Sequence, residues 1–222
     1  MDLPEIAARI AAAGLAPRGA LHLSDEECTG DLAGQRSLVL IGLAGQQGWH
    51  SYAASSEAQD GAPDPLDRFS RRVIGGLARD CGGTAFYPFG GPPHWPFQRW
   101  AQRAEVLHPS PLGLLIHPRY GLWHSYRGAI AFAEALALPE LERTQSPCDA
   151  CSAKPCRNTC PVGAFSQAGY AVDTCADWLR GAGSETCMQQ GCLARRACPV
   201  GADFAHAPEQ ARFGMRAYLG AR

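Results

Sequence analysis

The stretch that decides how this chain is interpreted is CDACSAKPCRNTCPVGAF, residues 148–165. It ends in Cys-Pro-Val-Gly-Ala before Phe165, and the same five residues return at 198–202. Of the ten cysteines in this chain of 222 residues, eight lie between residues 148 and 198. Such a concentration, with a repeated ending, indicates a segment whose cysteines bind something together.

Three kinds of cysteine chemistry fit part of this pattern. Disulfides suit secreted chains, but the N-terminal residues do not resemble a secretory signal. Structural zinc is held by four ligands, often from two Cys-x-x-Cys pairs, and only Cys148 and Cys151 have that spacing. Iron–sulfur proteins with two clusters carry the run C-x2-C-x2-C-x3-C-P, whose last cysteine binds the other cluster. We favour iron–sulfur and keep zinc and disulfides as alternatives.

The spacing predicts two [4Fe–4S] clusters with crossed ligands. The first run is C-x2-C-x4-C-x3-C-P and the second is C-x11-C-x4-C-x5-C-P, and both are longer than the bacterial signature. One cluster is expected to bind Cys148, Cys151, Cys156 and Cys198. The other is expected to bind Cys175, Cys187, Cys192 and Cys160.

Two local features of these runs carry further expectations. A helix is expected to begin at each Cys-Pro, because proline is well suited to a first helical turn. Arg195 and Arg196 lie between two of the expected ligands. We expect them in a solvated loop, with a docking point for an acidic electron donor as the alternative.

Composition and charge are those of an ordinary globular protein. Hydrophobic residues make up 46% of the chain and charged residues 18%, and no apolar run approaches the roughly 18 residues that span a bilayer. The 20 basic and 21 acidic residues give a net charge of −1, so the chain lacks the positive field that phosphate backbones select. We therefore expect a cytoplasmic protein with neither a membrane nor a nucleic acid as partner.

Helical and strand patterns alternate in the residues before the cysteines. A helix capped by Asp2, a buried strand at 37–43, an amphipathic helix at 64–82 and a helix at 95–107 are expected. Residues 112–132 are expected to form two strands joined by a turn at 118–121. The predicted fold class is α+β, with a first domain at 1–145 and a cysteine-rich domain at 146–222.

The order of these elements, with LLIHPRYGLWHSYRGAI at 114–130 before the cysteines, resembles the epoxyqueuosine reductase and reductive dehalogenase group. Those proteins are cobalamin-dependent iron–sulfur enzymes with a nitroreductase-like domain followed by a two-cluster ferredoxin-like domain. The same stretch is similar to CblC-type cobalamin-processing proteins, which share the first domain and lack the clusters. The resemblance therefore implies cobalamin beside the two clusters.

Carried over residue by residue, the resemblance also implies a cobalamin face. Its residues are Ile116, His117, Pro118, Gly121, Trp123, Arg127 and Gly128. Epoxyqueuosine reductases have an acidic residue in an Asp-Ser-x-Pro segment, and the corresponding stretch FGGPPH at 89–94 contains no acid. We take His94 and His124 as the candidate catalytic proton donors.

These features lead us to expect an oxidoreductase that binds cobalamin and two [4Fe–4S] clusters. The clusters are expected to receive electrons from a flavoprotein or ferredoxin and to pass them to the corrin cobalt. The reaction would remove the upper ligand of cobalamin or reduce a small molecule. Two alternatives stay open: a ferredoxin-type electron-transfer protein without cobalamin, and a reductase of an organic substrate of the epoxyqueuosine reductase or dehalogenase kind.

Overall fold

The computed structural model of the chain describes residues 1–142 and 144–220. Its helices are α1 (Leu3–Ala12), α2 (Trp49–Ala53), α3 (Ser56–Gln59), α4 (Pro65–Cys81), α5 (Phe97–Ala104), α6 (Pro147–Ala150), α7 (Pro155–Asn158), α8 (Val172–Arg180), α9 (Glu185–Gln190), α10 (Leu193–Arg196) and α11 (Pro208–Gly220). Its strands are β1 (Ala16–His22), β2 (Ser37–Ala44), β3 (Thr84–Phe86), β4 (His108–Pro109), β5 (Leu115–Ile116), β6 (His124–Phe132), β7 (Phe165–Ser166) and β8 (Gly169–Tyr170).

The chain divides into two compact units. The first unit comprises Met1–Val106 and Ser125–Arg143, and the second comprises Leu107–His124 and Thr144–Arg222. Within the described ranges, no helix combines the length and apolar character needed to cross a membrane. The domain boundaries predicted at 1–145 and 146–222 stay a prediction. In the structure, residues 107–124 belong to the same unit as the eight clustered cysteines.

The first unit is built on a four-stranded sheet with the order β1-β2-β6-β3. β1 pairs antiparallel with β2, and β3 pairs antiparallel with β6. All eight residues of β2 are buried, as expected for a strand covered on both faces. The apolar run at 37–43 predicted this strand, and the structure confirms it.

The helices predicted for the first unit are present. α1 follows Asp2, whose side chain accepts a hydrogen bond from the backbone N–H of Glu5 at 2.9 Å and so satisfies one of the free donors of the first turn. α4 buries Phe69, Ile74 and Leu77, each of which contributes about 1.5–3 kcal/mol relative to exposure. The amphipathic pattern at 64–82 predicted this helix, and the structure confirms it.

Residues 112–132 differ from the predicted pair of neighbouring strands. β5 pairs with β4, whereas β6 lies between β2 and β3. A single bridge between His117 and Gly121 closes the turn. Pro118 cannot donate a hydrogen bond to a ladder, so the strand that was expected to run into the turn ends at Ile116.

Glu27 joins two segments of the first unit. Its carboxylate accepts hydrogen bonds from Nε1 of Trp100 at 2.9 Å, from Nη1 of Arg103 at 2.7 Å and from the backbone N–H of Ser24 at 2.9 Å. Burial alone would raise the pKa of Glu27, but the hydrogen bonds from Arg103, Ser24 and Trp100 lower it to about 2.

We therefore expect the first unit to lose stability in acid. A carboxyl group with a lowered pKa in the folded chain stabilises the fold above its unfolded pKa, here 4.5. That contribution disappears as the pH falls from there towards the folded value. Thermal unfolding followed by circular dichroism at about pH 6 and about pH 3 should show a smaller acid loss for Glu27→Gln than for the wild type. Glu26→Gln, at an exposed neighbour, should behave as the wild type; equal losses in all three would contradict this role.

Candidate functional site

The eight clustered cysteines fall into two groups within the second unit. One small cavity is lined by Cys148, Cys151, Cys156 and Cys198. Another is lined by Cys160, Cys175, Cys187 and Cys192. Each cavity takes three cysteines from one run and one from the other. These are the same two sets that the crossed pattern assigns, while their role as cluster ligands stays a prediction.

Short helices and the turns between them position these side chains. Four of the cysteines lie within helices: Cys148 in α6, Cys156 in α7, Cys175 in α8 and Cys187 in α9. Cys192 comes directly before α10 and Cys198 shortly after it. Because each helix is brief, the chain changes direction often enough for four sulfur atoms to approach one cavity from several sides.

The thiols of each group act on one another. Burial raises the pKa of Cys156, and the charges of Cys198 and Cys151 raise it further. Burial likewise raises the pKa of Cys187, and Cys160 adds to the effect. Neighbouring thiolates repel one another, so a bound cation is what would allow all four of a group to ionise together.

Backbone N–H groups after each Cys-Pro donate to the cysteine sulfur. The N–H of Ala164 lies 3.4 Å from Sγ of Cys160, and the N–H of Val200 donates to Cys198. Hydrogen bonds of this kind favour the anionic form of a sulfur ligand. In iron–sulfur proteins they are one of the factors that set the reduction potential.

The described residues do not gather ligands around a single metal ion. Within 1–142 and 144–220, no three His, Cys, Asp or Glu side chains come close enough to hold one. Four thiolates on one zinc would lie about 3.8 Å apart, because each Zn–S bond is about 2.3 Å in a tetrahedron. A cubane cluster separates its ligand sulfurs more widely than a single zinc ion does, and the binding of clusters in the two cavities stays a prediction.

The two Cys-Pro-Val-Gly-Ala copies share the conformation of their glycine but not its surroundings. The fourth residue is in the left-handed region in both, with φ of +59° at Gly163 and +70° at Gly201. A Cβ on Gly163 would meet nothing within 4 Å, whereas one on Gly201 would lie 2.4 Å from the carbonyl carbon of Tyr120. A Cβ on Gly121 would lie 1.9 Å from the carbonyl oxygen of Val200. The second copy therefore packs directly against the turn at 118–121.

The prediction of a helix at each Cys-Pro is wrong. After Cys160 the chain forms β7, which pairs with β8, and after Cys198 it forms a single 3₁₀ turn at Ala202–Phe204. The left-handed glycine three residues after each cysteine interrupts a right-handed helix. The helices precede the Cys-Pro pairs instead, as α7 and α10.

The two arginines between the expected ligands lie in α10 and not in a solvated loop. Arg196 is exposed, but Arg195 is turned inward. Its Nε and Nη2 donate to the carbonyl oxygen of Leu122 at 3.1 and 2.5 Å, and its guanidinium lies 4.5 Å from the centroid of the Trp123 ring. Burial lowers the pKa of Arg195 to about 10.

The residues assigned to a cobalamin face are divided between the two units. Those in the second unit are Ile116, His117, Pro118, Gly121 and Trp123; those in the first are Arg127 and Gly128. Ile116 is 1% exposed and packs in the cluster that contains Cys156 and Cys198. Trp123 is buried beneath Arg195. These side chains fill their own unit's interior.

The two residues in the first unit are likewise engaged. Nε of Arg127 donates to Oγ of Ser70 at 3.1 Å, and its guanidinium forms an ion pair with Asp67. A Cβ on Gly128 would lie 2.7 Å from Cδ1 of Ile74. Most of the seven residues therefore contact protein groups of their own unit. Cobalamin binding stays a prediction from the resemblance.

The candidate proton donors also belong to different units. His94 is exposed in the first unit. Nε2 of His124 donates to the carbonyl oxygen of Leu115 at 3.0 Å in the second. Nearby, Nδ1 of His117 accepts hydrogen bonds from the backbone N–H groups of Arg119 and Tyr120. The structure thus gives His117 and His124 roles in holding the 114–124 segment, and catalysis by His94 or His124 stays a prediction.

An open cavity of about 420 Å³ in the first unit was not predicted. Its lining includes Asp31, Arg71, Tyr87, Phe89 and Trp95. The guanidinium of Arg71 lies 5.0 Å from the centroid of the Phe89 ring. This wall supplies a carboxylate beside the 89–94 segment, which has none of its own. Only the fold brings Asp31 there, so no local pattern indicated it.

No family model and no curated protein matches the sequence, but solved structures of epoxyqueuosine reductases have a similar fold. A selenomethionine-labelled epoxyqueuosine reductase has a TM-score of 0.56 and 13% identity, over 94% of this chain and 68% of that chain. An epoxyqueuosine reductase with an epoxyqueuosine-modified tRNA-Tyr stem loop has a TM-score of 0.54 and 16% identity, over 94% of this chain and 69% of that chain. The epoxyqueuosine reductase from Bacillus subtilis, with its catalytic loop swung out of the active site, has a TM-score of 0.56 and 15% identity, over 94% of this chain and 68% of that chain.

This likeness shows a mixed α/β fold resembling that of epoxyqueuosine reductase. At these identities it is evidence of fold, and the two-cluster, nitroreductase-like and cobalamin assignments stay predictions. The neighbours are oxidoreductases, which agrees with the predicted class of enzyme.

The prediction that nucleic acid is not a partner is corrected by one of these structures. That neighbour, an epoxyqueuosine reductase, is bound to a tRNA stem loop, so the fold is compatible with an RNA partner. The argument from charge failed because a net charge of −1 is an average over the whole chain. Affinity for a phosphate backbone depends on how many Arg and Lys side chains reach it locally.

Proposed function

We propose that the chain is an iron–sulfur oxidoreductase with two [4Fe–4S] clusters in its second unit. The observation that carries the proposal is the sorting of eight cysteines into two cavities, with one cysteine exchanged between the runs. One cluster would be held by Cys148, Cys151, Cys156 and Cys198. The other would be held by Cys160, Cys175, Cys187 and Cys192.

The wall of the second cavity supports this assignment. Trp178 lines the cavity, and its buried indole N–H has no well-formed hydrogen bond to another described residue. The same N–H faces the sulfur of Cys187 and favours its anionic form, which lowers the pKa of that thiol. Buried donors in proteins are almost always paired, and the thiolates and sulfides of a cluster are acceptors that would pair this one.

Apolar residues complete the lining. Val162, Phe165 and Leu179 line the second cavity, and Ile116 lines the first. An apolar wall excludes water, and solvent exposure is among the factors that set the potential of a cluster. The chain's own contribution is therefore to hold the sulfur ligands, donate N–H groups to them and keep water away.

We further propose that the reaction is the reduction of an organic substrate, of the epoxyqueuosine reductase or dehalogenase kind. Bound clusters supply single electrons, and reductive removal of an oxygen or a halogen from carbon consumes two. A flavoprotein or ferredoxin is the expected donor. The likeness in fold to solved epoxyqueuosine reductases supports this proposal over cobalamin processing. No step is assigned to cobalamin, which stays a prediction from the resemblance.

Turnover by the chemically reduced chain tests this function. The anaerobic protein is given epoxyqueuosine in a tRNA stem loop, the free epoxide nucleoside, or an aryl halide, each with and without added cob(II)alamin. We expect product in at least one series, and a change in the cobalamin spectrum if that cofactor takes part. Clusters that exchange electrons with a redox protein while none of the substrates is reduced would contradict the proposal and leave an electron carrier.

A further inference from the structure

Helix α10 connects the two groups of cysteines. It begins directly after Cys192, which lines the second cavity, and ends shortly before Cys198, which lines the first. Two arginines end the helix, Arg195 and Arg196. Any charge fixed on this helix is therefore close in sequence to a ligand of each proposed cluster.

Three contacts fix the position of Arg195. Its Nε and Nη2 both donate to the carbonyl oxygen of Leu122. The face of its guanidinium lies over the ring of Trp123, which is itself 3% exposed. Its backbone N–H donates to the sulfur of Cys192. A planar fork held at one edge and on one face keeps a single orientation.

The charge of Arg195 has no carboxylate to balance it. Within residues 1–142 and 144–220, none of the ion pairs involves this side chain. Its hydrogen-bond acceptor is a neutral carbonyl. A cation partly removed from water is unfavourable unless an anion lies nearby. The negative charge that acts on Arg195 is that of the Cys192 thiolate, which lines the second cavity. An anionic group held in that cavity would explain the arrangement.

We propose that Arg195 is the residue that compensates the negative charge of the clusters and raises their reduction potential. The inference rests on the proposed function. A [4Fe–4S] cluster with four thiolates is an anion and gains another negative charge on reduction, so a fixed cation stabilises the reduced form more than the oxidised form. Arg195 supplies a fixed positive charge near the clusters and does not bind iron. The effect on the reduction potential should be largest for the cluster that includes Cys192.

Redox titration of the anaerobic full-length chain, followed by EPR, tests this role. Arg195→Gln removes the charge and keeps an N–H for the carbonyl of Leu122, whereas Arg195→Lys keeps the charge and loses the fork. Arg196→Gln is the matched control, because it makes the same change of charge on the same helix at an exposed position where water and salt screen it. We expect a lower midpoint potential only in Arg195→Gln, with unchanged iron and sulfide content.

Several results would overturn the inference. One is an unchanged potential in Arg195→Gln with both clusters present, and another is an equal shift in Arg196→Gln. If Arg195→Gln binds less iron, Arg195→Lys provides the test: full iron content with a wild-type potential supports the role of charge, and a lowered potential contradicts it. These results leave the proposed function standing, whereas a wild-type chain without iron would overturn both.

Discussion

Cys160→Ala should remove the cluster that Cys160 shares with Cys175, Cys187 and Cys192. The other cluster, which includes the nearby Cys156, should stay intact. We expect the variant to hold about four iron atoms per chain in place of about eight, because a [4Fe–4S] cluster depends on its four cysteines. The physical reason is that Cys160 lines the cavity with Cys187 and Cys192, although Cys156 lies only four residues away. Iron and sulfide analysis measures the loss.

Double variants separate the crossed arrangement from a simple one. Cys156→Ala combined with Cys198→Ala, in the same cavity but 42 residues apart, should lose no more iron than either single variant. Cys156→Ala combined with Cys160→Ala should lose nearly all of it. Cys81→Ala, a half-buried cysteine at the end of α4, is the control and should keep its full content. The opposite order of the two double variants would contradict crossed ligation.

Gly201→Ala should destabilise the chain far more than the equivalent change in the first copy, Gly163→Ala. Both positions have positive φ, which costs a residue with a side chain about 1–2 kcal/mol. Only Gly201 also lacks space, because its Cβ would meet the backbone of Tyr120, and overpacking of this kind costs about 1–3 kcal/mol more. We expect a total of about 3 kcal/mol at Gly201 and about 1 kcal/mol at Gly163.

Anaerobic thermal unfolding followed by circular dichroism measures this difference. In a chain of this size each kcal/mol lowers the Tm by about 2–4 °C. Gly121→Ala, which would press on Val200 from the opposite segment, should resemble Gly201→Ala. Equal Tm values for the Gly163 and Gly201 variants would show that packing against the turn at 118–121 contributes little.

Local patterns were enough to predict much of the first unit. The strand at 37–43 and the Asp2 cap are visible because periodicity, burial and capping are properties of residues near in sequence. The two sets of cysteines could also be predicted from the sequence, because both runs end in the same Cys-Pro-Val-Gly-Ala. For these features the spacing of the residues carries the information.

The features that sequence reasoning missed depend on contacts between distant residues. Arg195 looked solvated because it sits beside another arginine, and its acceptor on Leu122 is 73 residues away. β5 was assigned the wrong neighbour because a two-residue strand has no pattern that identifies its partner. The cavity wall that brings Asp31 to the 89–94 segment is likewise a property of the folded unit.

The most direct test of the central claim is the metal and sulfide content of the full-length chain purified without oxygen. The two-cavity arrangement predicts about eight iron and about eight sulfide per chain, with no stoichiometric zinc. It also predicts an EPR signal of two reduced [4Fe–4S] clusters after reduction. Zinc in place of iron, or no more than about four iron atoms per chain, would contradict the account.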